Sequence, residues 1–261
     1  MSQLEALWLG IVQGLTEFLP VSSSGHLVIF QTLLGVEGEG GLLFEIAVHV
    51  ATLVAIVIFF HRRILELVVG AAKRDLAAWR YIGKLALGTV PAVLFALLAK
   101  STLDELLVSP IVAGCGLLVT GGILWTTRTT LPRAELEEPS WEAALLIGVA
   151  QALAILPGVS RSGSTVAAAL ALGVAPAAAA EFSFLLGIVA IAGAAVLALP
   201  DLAEASPEML AVLATGCSAA LASGIVAIWL FVLLLRRQSF HYFAWYTWGA
   251  GALFLVWLAL G

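Results

Sequence analysis

Six nearly unbroken apolar runs, at Ile46 to Phe60, Ile82 to Ala99, Leu106 to Trp125, Phe182 to Leu199, Leu210 to Leu235 and Phe243 to Leu260, constrain this chain most. Each is long enough, within a few residues, to cross a hydrocarbon core about 30 Å thick as a helix. Apolar residues fill the runs continuously instead of at every second position, which excludes the pattern of an outer-membrane barrel. With 62% of its 261 residues hydrophobic and 11% charged, the chain lies outside the range of a soluble domain. The expected fold class is an all-α polytopic membrane protein. No connection is long enough to form a soluble domain, so any chemistry must sit between helices. The opening apolar stretch lacks a basic leader and carries Gln13 and Glu17, so it reads as mature protein and not as a signal peptide. Cys115 and Cys217 lie in apolar runs without metal-like spacing and read as small packing residues.

Two polar breaks interrupt this pattern. Gln13 to His26 reads QGLTEFLPVSSSGH, and Gln151 to Thr165 reads QALAILPGVSRSGST. Placing Gln151 on Gln13, an offset of 151 − 13 = 138, sets Ser160 on Ser22, Arg161 on Ser23, Ser162 on Ser24, Gly163 on Gly25 and Ser164 on His26. The chain therefore reads as a duplicated hairpin.

Charge placement orients the two copies. His61-Arg62-Arg63, Lys73-Arg74, Arg80 and Lys84, then Arg128 and Arg133, then Arg236-Arg237 mark cytoplasmic connections. The connections around Glu37 to Gly41, Asp104-Glu105 and Asp201 to Glu208 contain almost no Lys or Arg and are placed outside. On this parity Leu4 to Leu34 dips in from outside and Trp141 to Gly173 from the cytoplasm. The expectation is an inverted-topology repeat: residues 1–130 and 140–261, joined by a linker near Leu131 to Pro139. Each half then has one re-entrant helical hairpin and three of the six spanning helices, and the polar tips meet near the midplane.

The tips carry the chemistry. Gln13 and Glu17, four residues apart, share a helix face and are candidates to hold a divalent cation or a water. Ser22, Ser23 and Ser24 supply hydroxyls and N-caps, and Gly25 permits close backbone approach. On the other tip Ser160, Ser162, Gly163, Ser164 and Thr165 surround a helix N-terminus, where Arg161 adds a guanidinium fork suited to phosphate. An anion pocket facing a carboxylate and an imidazole suits phosphoryl chemistry. Glu17 would act through a metal, Arg161 and the amides would stabilise transition-state charge, and His26 would transfer protons. Whether a serine or a water attacks is left open, because both schemes use the same residue types.

The segment from Gln13 to His26 resembles the (E/Q)xxxE and Pro-x-Ser-Ser-x-Gly-His elements, and Pro157 to Thr165 the PGxSRSxxT element, of the undecaprenyl-pyrophosphate phosphatase family, the bacitracin-resistance membrane proteins. The resemblance spans nearly the whole chain. It implies a bacterial inner-membrane enzyme that converts undecaprenyl pyrophosphate to undecaprenyl phosphate for envelope synthesis, uses Mg²⁺ or Ca²⁺, and opens its site outward. The residues it marks are Gln13, Glu17, Ser23, His26, Ser160, Arg161 and Thr165. Position 13 is Gln where other members have Glu, which leaves Glu17 as the main anionic ligand.

Simpler roles stand beside these. Glu17 and Arg161 can form an ion pair tying the hairpins together, with or without a catalytic role. Single serines at helix starts in membranes commonly satisfy backbone groups. Glu45, His49 and Glu181 read first as packing or interface partners near helix ends, with lining the cavity as the alternative, and Tyr242, Trp245 and Trp248 as an aromatic belt. The rival function is a lipid flippase or anion transporter, since the same inverted repeat supports alternating access. Ser24-Gly25-His26 bears a short likeness to the lipid phosphatases that use a phosphohistidine, but their other elements are missing. The expected partners are the lipid substrate and membrane lipids. The scattered basic residues offer no nucleic-acid surface, and a homodimer is compatible with the sequence.

Overall fold

The computed structural model describes residues 1–34, 41–99, 106–197 and 206–260. The acidic connections containing Glu37, Asp104, Glu105 and Asp201 lie outside these residues. Among the described residues the helices are α1 (Gln3–Phe18), α2 (Ser23–Leu34), α3 (Gly41–Phe59), α4 (His61–Ala72), α5 (Leu76–Leu98) and α6 (Pro110–Thr130). They continue as α7 (Trp141–Leu153), α8 (Arg161–Ala171), α9 (Pro176–Leu197), α10 (Pro207–Arg236) and α11 (Phe243–Leu260). Helix starts are set by short polar side chains that accept an orphan backbone N–H: Ser2, Asp75, Ser109, Ser140, Ser160 and Ser206 each cap the helix that follows.

Five of these helices are long and apolar enough to cross a membrane, and six if the bent pair α3 and α4 makes one span. The protein is an all-α polytopic membrane protein. Its outer surface agrees, for Leu98 is 85% and Leu253 74% exposed, as suits side chains that meet lipid. α5 at Leu76 and α9 at Pro176 begin ahead of the apolar runs that signal them, whereas α6 begins inside its run at Pro110. Pro110 and Pro176 start α6 and α9 because proline fits a first helical turn, whatever the hydropathy there.

One segment differs from the sequence expectation. The basic stretch after Phe60 forms α4, bent 76° from α3, instead of an open connection. Its charged and apolar residues follow helical spacing, so Leu67 is buried while Arg62 and Leu65 face outward.

α1 and α2, and likewise α7 and α8, form two hairpins whose helices run to 16, 12, 13 and 11 residues. At about 1.5 Å per residue, none reaches about 30 Å. Each hairpin packs against a long helix from the opposite half of the chain, α1 along α10 and α7 along α5. Both contacts use facing glycines. A Cβ on Gly10 would collide with the Gly216 carbonyl, and one on Gly148 with the Gly88 carbonyl. Beneath the first hairpin, Phe18 meets Phe184 edge-on at 5.6 Å, and Phe184 meets Phe231 at 5.0 Å. These rings tie α1 to α9 and α10.

The segment between α6 and α7 is held down as well. Glu135 and Leu136 donate N–H groups to the Gly173 carbonyl, Ala175 donates to Leu136 O, and Lys84 Nζ reaches Glu138 at 3.0 Å.

Candidate active site

The two polar breaks fold into matching turns. At the first, Gly25 N–H donates to Ser22 Oγ at 3.3 Å, Ser22 Oγ lies 3.3 Å from Ser24 Oγ, and His26 N–H donates to Ser22 O at 3.2 Å. At the second, Gly163 N–H donates to Ser160 Oγ at 3.0 Å, Ser160 Oγ lies 3.3 Å from Ser162 Oγ, and Ser164 N–H donates to Ser160 O at 2.8 Å. The residue pairs are those aligned by the 138-residue offset. The turns also touch, for a Cβ on Gly25 would fall 2.7 Å from Gly158 Cα. Gly158 has φ +85, and a side chain there would strike the Ala113 carbonyl of α6. Thr120 of α6 fixes the second turn twice, donating Oγ to Gly158 O at 2.7 Å and accepting Ser160 N–H at 2.9 Å.

Across the contact Arg161 Nη2 donates to Glu17 Oε1 at 2.5 Å. Glu17 Oε2 accepts Ser23 Oγ at 2.5 Å and Gln13 Nε2 at 3.1 Å, and lies 3.6 Å from His49 Nε2. Each carboxylate oxygen is therefore occupied, and the side chain is 6% exposed. Arg161 keeps a spare donor: Nη1 is buried and has no partner among the described residues. Room for that guanidinium comes from Gly187 of α9, where any Cβ would overlap Nη1.

A cleft of about 390 Å³ opens over this pair. Glu17, Ser22, Ser23, Ser24, Ser160 and Arg161 supply its polar wall, and Ile46, Leu107, Ile155, Val159 and Ile191 much of its apolar wall. Such a division, with a few convergent polar groups in an apolar surround, is typical of a ligand site.

The remaining expected residues sit behind this wall. Gly25, Ser162, Gly163, Ser164 and Thr165 do not line the cleft. Thr165 Oγ bonds the Arg161 carbonyl at 2.7 Å and Ser183 Oγ at 2.5 Å, so it braces α8 instead of facing the cleft. Gln13 is fully buried beneath Glu17. His26 is 4% exposed and also off the wall, with Nδ1 on Ser22 O and Nε2 on Tyr246 Oη, both at 2.8 Å.

Two residues placed by sequence among packing partners do line the cleft. Glu45 accepts Gln31 Nε2 at 2.9 Å, and His49, with Nδ1 on the Glu45 carbonyl at 2.7 Å, turns Nε2 toward Glu17. They lie four apart on α3, a helical spacing visible in the sequence. Which face of α3 meets the hairpin was not. Glu181 does act as a packing partner, accepting Arg63 Nε at 2.8 Å and Tyr81 Oη at 3.2 Å.

Residues 6–253 match the family described as bacitracin resistance protein BacA. This chain belongs to that family. Among its relatives, undecaprenyl-diphosphatases of Desulfatibacillum aliphaticivorans and Carboxydothermus hydrogenoformans are each 42% identical, covering 98% and 100% of this chain and 99% of their own lengths. That of Rhodopirellula baltica is 42% identical over 95% of both chains. Family membership spans both turns, so the paired arrangement belongs to the matched region as a whole.

A divalent cation fits the donors present, though sparsely. Gln13 Oε1 is buried without a partner among the described residues, on the side chain whose Nε2 donates to Glu17, and amide and carboxylate oxygens are donors of the kind hard cations take. Among the described residues no group of three or more His, Cys, Asp or Glu could hold a metal. Phosphate oxygens and water would have to complete the coordination.

Proposed function

We propose that this member of the BacA family removes the terminal phosphate of undecaprenyl pyrophosphate, leaving undecaprenyl phosphate to be reused in envelope synthesis. The observation that carries the reading is the contact of Ser23 Oγ and Arg161 Nη2 with opposite oxygens of one buried carboxylate, Glu17, in the cleft wall.

The diphosphate would enter with its terminal phosphate at the N-terminus of α8, near Ser160 and the Arg161 guanidinium in the cleft wall. The first-turn amides and the guanidinium complement its charge. The prenyl chain would follow the apolar wall of the cleft. Ser23 is assigned as nucleophile. Its Oγ forms a bond to the terminal phosphorus as its proton passes to Glu17 Oε2. The bridging P–O bond breaks with its electron pair leaving on undecaprenyl phosphate. Water then attacks the phosphoserine phosphorus, its proton staying on the released inorganic phosphate, and the P–Oγ bond breaks as Ser23 Oγ takes back the proton held by Glu17. When bound, Mg²⁺ or Ca²⁺ held by Glu17 and Gln13 would neutralise developing phosphoryl charge.

We further infer an inverted repeat of residues 1–130 and 140–261 with two re-entrant hairpins, in a bacterial inner membrane with the cleft facing outward. Four observations support this: the reciprocal packing of α1 on α10 and α7 on α5, the matched turns, the short hairpin helices, and the charge distribution. Cleft residues Glu45 and His49 lie early in α3, and Ile191 lies late in α9. Arg63, Arg128 and Arg236 mark the opposite ends of their spans. Bacitracin tolerance would rise with the amount of active protein in the cell.

The test is phosphate release from undecaprenyl pyrophosphate by purified protein in detergent, with and without EDTA, together with a search for phosphoserine at Ser23 in quenched reactions. A protein that only moved the lipid across a bilayer would release no phosphate in detergent.

A further inference from the structure

His26 belongs to the turn but not to the cleft wall, and what it touches suggests why. Its Nδ1 lies 2.8 Å from the Ser22 carbonyl, which can only accept, so Nδ1 carries the proton. In the neutral ring Nε2 is then a lone pair, and Tyr246 Oη lies 2.8 Å from it, placed to donate. The two rings are within 5° of parallel, with centroids 5.7 Å apart. Tyr246 comes from α11, an apolar helix with no polar break in its sequence.

The object held at the other end of this chain is unusual. Ser22 has φ 70, a left-handed backbone that costs about 1–2 kcal/mol for a residue with a side chain. Its carbonyl takes both the backbone N–H and the ring N–H of His26. The next residue, Ser23, must leave this turn pointing at Glu17. Without the ring contact, one backbone bond at 3.2 Å would be left to the Ser22 carbonyl.

We propose that Tyr246 is a positioning residue for the first tip. It fixes the plane of the His26 ring, whose Nδ1–H locks the left-handed Ser22, which in turn aims Ser23 Oγ at Glu17. His26 thereby acts through the Ser22 carbonyl and not by exchanging protons with substrate. The inference rests on the phosphatase reading for its kinetic consequence and on geometry alone for its spectroscopic one.

Tyr246→Phe keeps the stacked ring and removes only the hydroxyl. The expected result is a fall in kcat of about tenfold, the effect of one buried hydrogen bond, with KM within about twofold of the parent. Side-chain ¹⁵N spectra of histidine-labelled protein, with His26 assigned by its absence in His26→Asn, should show the Nδ1–H form in the parent and a shifted Nε2 resonance in Tyr246→Phe, where that nitrogen loses its donor. His26→Asn, whose amide can still donate to Ser22 O, should retain at least about ten times the turnover of His26→Ala, again one hydrogen bond. Unchanged kcat and unchanged His26 resonances in Tyr246→Phe would overturn the proposal. So would equal inactivity of the Asn and Ala variants in a folded protein, because that is what a proton-transferring histidine would give. If the parent releases no phosphate, the phosphatase reading fails while the ¹⁵N experiment still decides whether Tyr246 holds His26.

Discussion

At position 17 the first hairpin carries a carboxylate, and at the matching position 155 the second carries an isoleucine. Ser23 is matched by Arg161, and His26 by Ser164. Around these differences the hydrogen bonds of the two turns agree pair by pair, although Ser22 has φ 70 and Ser160 φ −68. The two turns thus share hydrogen bonds but carry different side chains. The first tip presents the acceptor and the hydroxyl, the second the cation and the helix N-terminus, and the pair Glu17–Arg161 exists only because the tips abut at Gly25 and Gly158. Their glutamines show the same division. Gln13 bonds Glu17, whereas both amide atoms of Gln151 are buried without a partner among the described residues. Four residues after Gln151 stands Ile155, where Gln13 has Glu17.

Variants at the tips can break this comparison. Arg161→Ala should have the largest effect, lowering phosphate release by about a thousandfold or more, because it removes the transition-state cation and strands Glu17 as a buried charge. Arg161→Lys should rescue little, since a single ammonium cannot reach Glu17 and a phosphate in the same fork geometry. Near-parent turnover in either would remove the second tip from the reaction. Glu17→Gln should cost about a hundredfold to a thousandfold, and Ser23→Ala about as much, measured by the same assay with membrane insertion checked by chromatography. An active Ser23→Ala would assign the attack to water.

Smaller effects sharpen the contrast. Gly25→Ala should separate the tips and lower thermal stability by about 1–3 kcal/mol, as overpacking does, because its Cβ has no space beside Gly158. The two glutamines should respond oppositely. Gln13→Leu should weaken binding of the cation, read by titration calorimetry with Mg²⁺. Gln151→Leu should leave turnover intact and raise stability by about 1 kcal/mol by removing an unsatisfied buried amide. Equal responses would mean the glutamines still do the same work.

Much of this was legible from residue order. Apolar runs required helices in a bilayer, and only a buried function justified Glu17 and Arg161 at that depth. Both turns, and the serines that cap them, could be read from Pro, Gly and Ser placement. Residues whose roles depend on which helix face meets a neighbour could not. Glu45 and His49 enter the cleft because α3 turns that face toward α1, and Thr165 leaves it because Ser183 of α9 is within reach. Tyr246 lies 220 residues from His26, in a helix apolar enough to hide its role.

Sequence alone determined the solvent, the helices other than α4 and the two turns, because hydropathy, capping and backbone restriction act over neighbouring residues. The Glu17–Arg161 pair was already readable in the sequence, but tertiary structure alone decided that Gly187 would leave room for the guanidinium and that His26 would face Tyr246. Those outcomes depend on close packing between helices distant in the chain, where a single Cβ decides whether two backbones can touch.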